Sequence, residues 1–262
     1  MRTPNPVPCA GMALALSLMH SPAAHADLPV SFSGLLTGSY GNAKVSGTSA
    51  DIFGGGAAGA ATFGEHWNIG ANADYQRVST SGLHANDWLF GAAFFWKDSK
   101  GRIGPVGGYE TVDTGKVSGH VSYEGAGGEW WMADDLTLGL KGGGFNASGA
   151  VSGYYVGTGF TAYWQRDVDF TGSVDYAHGN SVGSETDYTM QGEWLVSERA
   201  PVSLFGGYTY ADVSGLGTGH VNVWFLGVRL YTNGDGSRTL VDRQRNGPMG
   251  WTGAFHPVMF AY

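Results

Sequence analysis

Residues 220–231 read HVNVWFLGVRLY, and two kinds of side chain alternate along this stretch. One parity carries Trp224, Leu226, Val228 and Leu230, with Asn222 at its outer end, and the other carries Phe225, Gly227, Arg229 and Tyr231. Successive side chains of a β-strand point to opposite faces, so one face of such a strand would be apolar and the other would hold a glycine and a cation. The alternation therefore predicts a strand that separates lipid from an aqueous lumen.

The end of this stretch, GVRLY at residues 227–231, resembles the final strand of Gram-negative outer-membrane β-barrels. In that class, the last strand typically ends on an aromatic residue and addresses the barrel to its assembly machinery. The resemblance is to a class and not to one particular protein. It implies a porin-like transmembrane β-barrel in the cell outer membrane, with outer-membrane lipid and the barrel-assembly machinery as partners.

Residues 1–26 have the pattern of a secretory signal peptide. Arg2 precedes an apolar run at residues 10–19, Pro22 breaks that run, and the small residues Ala24 and Ala26 flank His25 before Asp27. The run is too short to span a bilayer, and a structural first helix is the alternative. We expect cleavage after Ala26 and a barrel domain over residues 27–231.

The composition agrees with an exported barrel. The chain has 45 glycines, 13% aromatic residues and 14% charged residues, whereas soluble domains average about 7% glycine and about 25% charge. Glycine and aromatic residues with little charge are typical of lipid-facing strands with aromatic girdles. The formal net charge of −8 disfavours a nucleic-acid partner. The single cysteine, Cys9, lies in the predicted signal, so disulfides and thiolate sites are excluded from the mature chain.

Strand-like segments recur from residue 29 to residue 231, and about twelve of them have the length that a barrel strand needs. In residues 88–97, for example, Trp88, Phe90, Phe94 and Trp96 share one parity, with aromatic residues at both ends. The predicted fold class is therefore all-β: an antiparallel transmembrane β-barrel of twelve strands with short periplasmic turns.

The predicted connections are of two kinds. One set is short and charged, and the other set is mostly longer and rich in glycine, serine and threonine. The second set comprises residues 41–51, 78–87, 112–119, 146–150, 179–185 and 213–219. Outer-membrane barrels have short periplasmic turns and longer extracellular loops. The pattern predicts that the first set faces the periplasm.

Charged residues on the parity opposite the apolar residues are the candidate lumen lining. They are Asp74, Lys97, Arg102, Glu110, Glu124, Lys141, Asp169, Asp175, Asp187, Glu193 and Arg229. Glu124 and Glu129 fall on opposite parities of one strand, so that strand needs either a bulge or an interfacial glutamate. The excess of acids favours some water inside, as in a narrow pore that prefers cations. A closed barrel filled by its own ion pairs is the alternative.

Residues 232–262 follow the last predicted strand and do not fit the barrel pattern. They contain Arg238, Arg243 and Arg245 and several aromatic residues. Three interpretations are open: a periplasmic extension, a plug that folds back into an acidic lumen, or a true terminal strand at residues 256–262. Pro257 argues against the third.

The sequence predicts no cofactor, no metal site and no catalytic residues. Residues 54–59 fit a dinucleotide-binding glycine pattern, but the strand-like alternation that follows leaves no place for the helix that such a site requires. Four histidines lie near the long-loop side: His84, His120, His178 and His220. Asp87 lies close in sequence to His84, and Asp212 and Ser214 precede His220, so a Ser–His–acid site is an open alternative.

We therefore expect a narrow porin-like channel for small polar or cationic solutes. The alternatives are a closed structural barrel and an outer-membrane lipid-modifying enzyme.

Overall fold

The computed structural model describes residues 30–45, 47–80, 83–115, 118–148, 151–180, 182–197, 201–215, 218–232 and 238–249. The predicted signal peptide and the alternative terminal strand at residues 256–262 lie outside these residues. The described chain forms twelve β-strands and one α-helix. They are β1 Val30–Val45, β2 Thr48–Phe63, β3 Trp67–Thr80, β4 Leu83–Lys97, β5 Gly101–Asp113, β6 Ser118–Ala133, β7 Leu136–Ala147, β8 Val151–Gln165, β9 Val168–Gly179, β10 Gly183–Leu195, β11 Val202–Gly215, β12 Gly219–Tyr231 and α1 Leu240–Asn246.

The strands form one closed barrel in which each strand pairs antiparallel with its sequence neighbours. β12 closes the barrel on β1, with Leu36 opposite Leu230 and Tyr40 opposite Leu226. Closure leaves no sheet edge, so every strand can satisfy its backbone hydrogen bonds within the wall, as a bilayer requires. The prediction of a twelve-stranded antiparallel barrel closed by residues 220–231 is confirmed.

The two ends of the barrel differ less than the sequence suggested. At the proximal end, where β1 begins and β12 ends, the connections are residues 64–66, 98–100, 134–135, 166–167 and 196–201. At the opposite, distal end the expected longer loops are wrong, because most of their residues pair as strand. β1, for example, continues to Val45 and β2 begins at Thr48, with Lys44 opposite Ser49. Small and β-branched residues in these stretches continue the ladder, so turn composition alone misplaced the strand ends.

The outer face carries an exposed apolar belt bounded by aromatic residues. Its proximal border contains Trp67, Trp96, Trp130, Trp164 and Trp194, and its distal border contains Tyr40, Trp88, Tyr109, Tyr154, Tyr188 and Trp224. Leu226 and Val228, from the stretch that predicted the fold, are exposed between these borders. An apolar band between two aromatic girdles is the surface of a barrel that spans a bilayer. Among the described residues, no helix is both long and apolar enough to cross a membrane.

Large inward side chains lie along the wall above glycines of other strands. A Cβ added at Gly91 would come within 3.3 Å of the Tyr123 hydroxyl oxygen, and one added at Gly143 would come within 2.8 Å of the Tyr155 hydroxyl oxygen. Glycine permits this close approach because it has no side chain. The high glycine content therefore lets aromatic groups lie flat against the wall.

Helix α1 follows β12 and returns to the barrel interior. Thr239 caps it, because the Thr239 hydroxyl accepts a hydrogen bond from the Asp242 backbone N–H at 3.2 Å and the Asp242 carboxylate reaches back to the Thr239 backbone. Leu240 is fully buried against Leu195 and Tyr231. The helix therefore packs against the inner wall at the proximal end.

Candidate channel lumen

Ten of the eleven predicted lumen residues alternate along their strands with the outward residues of the apolar belt, so their side chains point inward. Each of the ten is buried or half-buried. They are Asp74, Lys97, Arg102, Glu110, Lys141, Asp169, Asp175, Asp187, Glu193 and Arg229. They fall into two levels. Five lie in the proximal part of the barrel near α1, and five lie in its middle and distal parts.

The prediction that the eleventh residue, Glu124, lines the lumen is wrong. Glu124 is exposed and shares its parity with the outward Trp130. The register of β6 shifts only between Trp131 and Ala133. No bulge therefore lies between Glu124 and Glu129, and their side chains point to opposite faces. Glu129 is the inward member of the pair, and Glu124 lies on the lipid-facing side, opposite Gly107.

The proximal level is organised around the Glu193 carboxylate, which has no exposed side-chain surface. Glu193 accepts hydrogen bonds from the Tyr231 hydroxyl at 2.6 Å and from the Ser203 hydroxyl, and it forms an ion pair with Arg229. The Arg229 guanidinium also donates to the Gln191 side chain at 3.3 Å. Arg229 thus serves as the counter-ion of a buried acid at the proximal mouth, where a charge without a partner would cost several kcal/mol.

A second cluster joins the wall to the end of α1. The Arg102 guanidinium lies 2.7 Å from the Glu129 carboxylate and donates to the Gly247 carbonyl at 2.8 Å. It also stacks over the Phe95 ring at 5.4 Å. Lys97, opposite Arg102 on β4, donates to the Asn246 side chain at 2.6 Å. The C-terminal carbonyls of a helix carry partial negative charge, so two wall cations at this position are favourable.

Other α1 side chains reach the opposite wall. Gln244 donates to Asp169 at 2.5 Å and accepts from the Tyr163 hydroxyl at 2.7 Å. Arg245 donates to the Ala133 carbonyl at 2.7 Å. These contacts span strands β4 to β10, so α1 lies against the inner wall of these strands. Gln244 and Arg245 belong to a segment outside the strand pattern, so parity could not reveal their contacts with the wall.

The middle and distal lumen is strongly acidic. Within the described chain, its inward carboxylates are Asp74, Asp87, Glu110, Asp175, Glu185 and Asp187, and its inward cation is Lys141. The Lys141 ammonium lies 2.6 Å from Asp175. Sequence reasoning left out Asp87 and Glu185 because it assigned them to loops. Asp87 is separated by an even number of residues from the inward Lys97 on β4, and Glu185 from the inward Glu193 on β10. This spacing could have identified both as inward residues.

The inner wall at the distal mouth is apolar on two nearly opposite arcs. One arc consists of Ala43, Ile52, Ala211 and Val221, and the other of Val121, Phe145, Tyr155 and Ala177. They belong to β11, β12, β1 and β2 on one side and to β6–β9 on the other. A solute entering from the distal side would therefore meet apolar surface on both arcs, with Glu185 at the level of Ala177.

The four histidines lie on the outward face. His120 stacks on Tyr109 at 5.7 Å, His178 lies 5.6 Å from Tyr154, and His220 pairs with Asp212 at 3.1 Å. His84 and Asp87 have opposite parity and point to different faces. The Ser214 hydroxyl pairs with Ser184 at 2.8 Å. Within the described residues these groups do not assemble a Ser–His–acid site, and no group of three or more metal-ligating side chains is arranged to hold a metal ion.

The comparisons with known proteins place the fold among outer-membrane barrels. The chain resembles an outer membrane channel from Pseudomonas putida F1, with a TM-score of 0.59 at 10% identity over 82% of this chain and 99% of that one. It also resembles the NanC porin, with a TM-score of 0.55 at 13% identity, and the KdgM porin, with a TM-score of 0.51 at 13% identity. Each of these two alignments covers 74% of this chain and 98% of the porin.

No protein-family model matches the chain, and no curated protein matches it in sequence. At these identities the structural likeness establishes a shared fold. The chain therefore has the fold of the outer-membrane porins and channels.

Proposed function

We propose that this protein spans the bacterial outer membrane as a narrow porin-like channel for small solutes. The observation that carries the proposal is a closed barrel with an apolar outer belt and a lumen lined by charged side chains. Ionised side chains are costly to remove from water, and the middle and distal lumen holds six carboxylates against one lysine. That imbalance supports a hydrated path.

The same imbalance supports a preference for cations. Rings of acidic side chains select cations by lowering their energy in the pore and raising that of anions. The proximal level is closer to neutral, because Arg102, Arg229 and Lys97 lie near Glu129, Asp169 and Glu193. The distal and middle lumen would therefore set the ion preference.

The segment after β12 acts as a plug that narrows the proximal lumen. Its contacts with Asp169, Arg102 and Lys97 support this role, since they tie one short helix to several strands. A periplasmic extension that stayed outside the barrel would not make these contacts.

Single-channel recording of the refolded protein tests both proposals. The full chain should give small discrete current steps in a planar bilayer, and a chain ending at Thr232 should give larger steps because the plug is gone. The matched control is the full chain with Arg245→Ala, which removes the hydrogen bonds of Arg245 to Ala133, Leu136 and Thr137 and keeps the other contacts of α1 with the wall.

Two results would count against these proposals. A folded barrel that carries no current in either form favours the closed structural barrel. Equal conductance of the full and shortened chains would instead assign residues 233–262 to the periplasmic side.

A further inference from the structure

The barrel wall changes character beyond its distal aromatic border. In the membrane belt, apolar residues face outward and charged residues face inward. Beyond the border the pattern reverses: Asn42 and Asn222 face outward, while their sequence neighbours Ala43 and Val221 face inward and are buried. A wall with polar groups outside and apolar groups inside is typical of a protein surface in water. The distal ends of the strands therefore extend past the bilayer, and their inner face forms a separate apolar layer.

This layer, the distal collar, runs around the whole barrel. It consists of the two apolar arcs of the distal mouth, which Val78, Ala85 and Val112 join across β3–β5. Its charged member within the described strands is Glu185 on β10, directly opposite Ala177 of the second arc. Every other strand contributes an aliphatic or aromatic side chain to the collar.

Water does not reach the collar side chains, although they point into the lumen. Val121 and Val221 lie six strands apart in a barrel of twelve, on opposite sides of the mouth, and they are 3% and 5% exposed. The Phe145 ring is 1% exposed and Glu185 is 4% exposed. A side chain that bordered a water-filled mouth would keep a much larger accessible surface. The collar is therefore dry in this structure.

The level below the collar is polar. Asp87 lies two residues proximal of Ala85 on β4, Asp187 lies two residues proximal of Glu185 on β10, and both carboxylates are half-buried. Moving an ion from such a level across a dry apolar layer is strongly unfavourable, because the ion loses its hydration. A hydrophobic constriction stops ions while it is dry and passes them once water fills it.

We infer that the distal collar is the gate of the proposed channel. The gate is closed in this structure because its apolar side chains exclude water, and it opens when water enters the collar and hydrates a path to the carboxylates. The inference rests on the proposed channel. It assigns control of the current to the distal mouth, separately from the proximal plug.

Exchange of valine for threonine tests the gate, because threonine has nearly the shape of valine and adds a hydroxyl. We expect Val121→Thr and Val221→Thr each to raise the fraction of time that the refolded full chain conducts KCl by about tenfold, equivalent to about 1.4 kcal/mol of added hydration in the open state. Val221→Ala widens the collar and leaves it apolar, so it should raise that fraction less. Val228→Thr is the matched control on β12, because Val228 faces lipid, and it should leave the current unchanged.

The reactivity of single cysteines reports water access without any current. The chain after residue 26 contains no cysteine, so one can be placed at Ala43 in the collar or at the neighbouring Asn42 on the outer face. We expect a charged, water-soluble thiol reagent to modify Ala43→Cys at least about tenfold more slowly than Asn42→Cys, because thiol reactivity requires access and Ala43 is 5% exposed. Adding Val221→Thr to Ala43→Cys should speed the modification.

Three results would overturn the gate: equal modification of the two cysteine variants, no gain of current in either threonine variant of a barrel that conducts, or a larger gain in Val221→Ala than in Val221→Thr. A barrel that stays silent in every variant, yet protects the Ala43→Cys thiol until Val221→Thr is added, keeps the dry collar and overturns the channel that it would gate. Heat-modified electrophoretic mobility shows whether each variant has folded.

Discussion

At the scale of single residues, the buried Glu193 carboxylate connects the wall to helix α1. It accepts hydrogen bonds from Tyr231 and Ser203, pairs with Arg229, and lies 3.5 Å from the Gln244 amide of α1. Removing one member of a buried ion pair leaves the other charge without compensation. Parity in the sequence placed Glu193 and Arg229 on the inward face, but their pairing depends on the register of β10, β11 and β12.

We predict that Glu193→Ala lowers the free energy of unfolding by about 3 kcal/mol, because Arg229 then lacks its counter-ion. Urea titration of the barrel in phospholipid vesicles measures this change. Glu65→Ala is the control, since Glu65 lies in an exposed proximal turn with 90% of its side chain accessible, and it should change stability by less than about 0.5 kcal/mol. Similar losses in both variants would contradict the assigned role of Glu193.

Glu124 makes a second residue-scale prediction. It lies exposed on the lipid side, where a carboxylate is unfavourable although less costly than a cation. Glu124→Leu should therefore raise the free energy of unfolding in vesicles by up to about 1 kcal/mol. A loss of stability would mean that Glu124 faces the lumen after all. The sequence left open whether Glu124 or Glu129 faces the lumen, because the two have opposite parity on one strand. The continuous register of β6 between them shows that Glu129 points inward and Glu124 outward.

At the scale of strands, glycine shapes the lumen. The sequence predicted the number, order and faces of the strands because alternation repeats along the chain. It did not predict their distal ends, since residues such as those of the 41–51 stretch suit both a loop and a ladder. It also could not show which glycines lie beneath which side chains, because that depends on the stagger between neighbouring strands.

Gly157 tests this role of glycine. The side chains of Lys141 and Asp175 lie over it, so a Cβ at this position would overlap both partners of the ion pair. We predict that Gly157→Ala pushes the pair into the lumen and lowers single-channel conductance. Gly144→Ala is the control, because its outward methyl group would meet only the Gly153 carbonyl, at 3.6 Å. Equal conductance of the two variants would mean that this level does not limit the current.

At the scale of the whole molecule, charge is separated along the barrel axis. The proximal part balances its acids with wall arginines and the basic side chains of α1, and the distal part holds an excess of carboxylates. Composition and parity predicted an acid-rich interior. They could not predict this separation, because it requires the position of each residue along the closed barrel and the return of residues 238–249 into it.

The most direct test of the account is the reversal potential of the refolded full chain in a planar bilayer across a tenfold KCl gradient. We predict discrete current steps whose reversal potential has the sign of K⁺ permeation, because carboxylates dominate the distal lumen. A reversal potential of the Cl⁻ sign would contradict the assigned selectivity. A folded barrel that inserts and carries no current would contradict the channel itself.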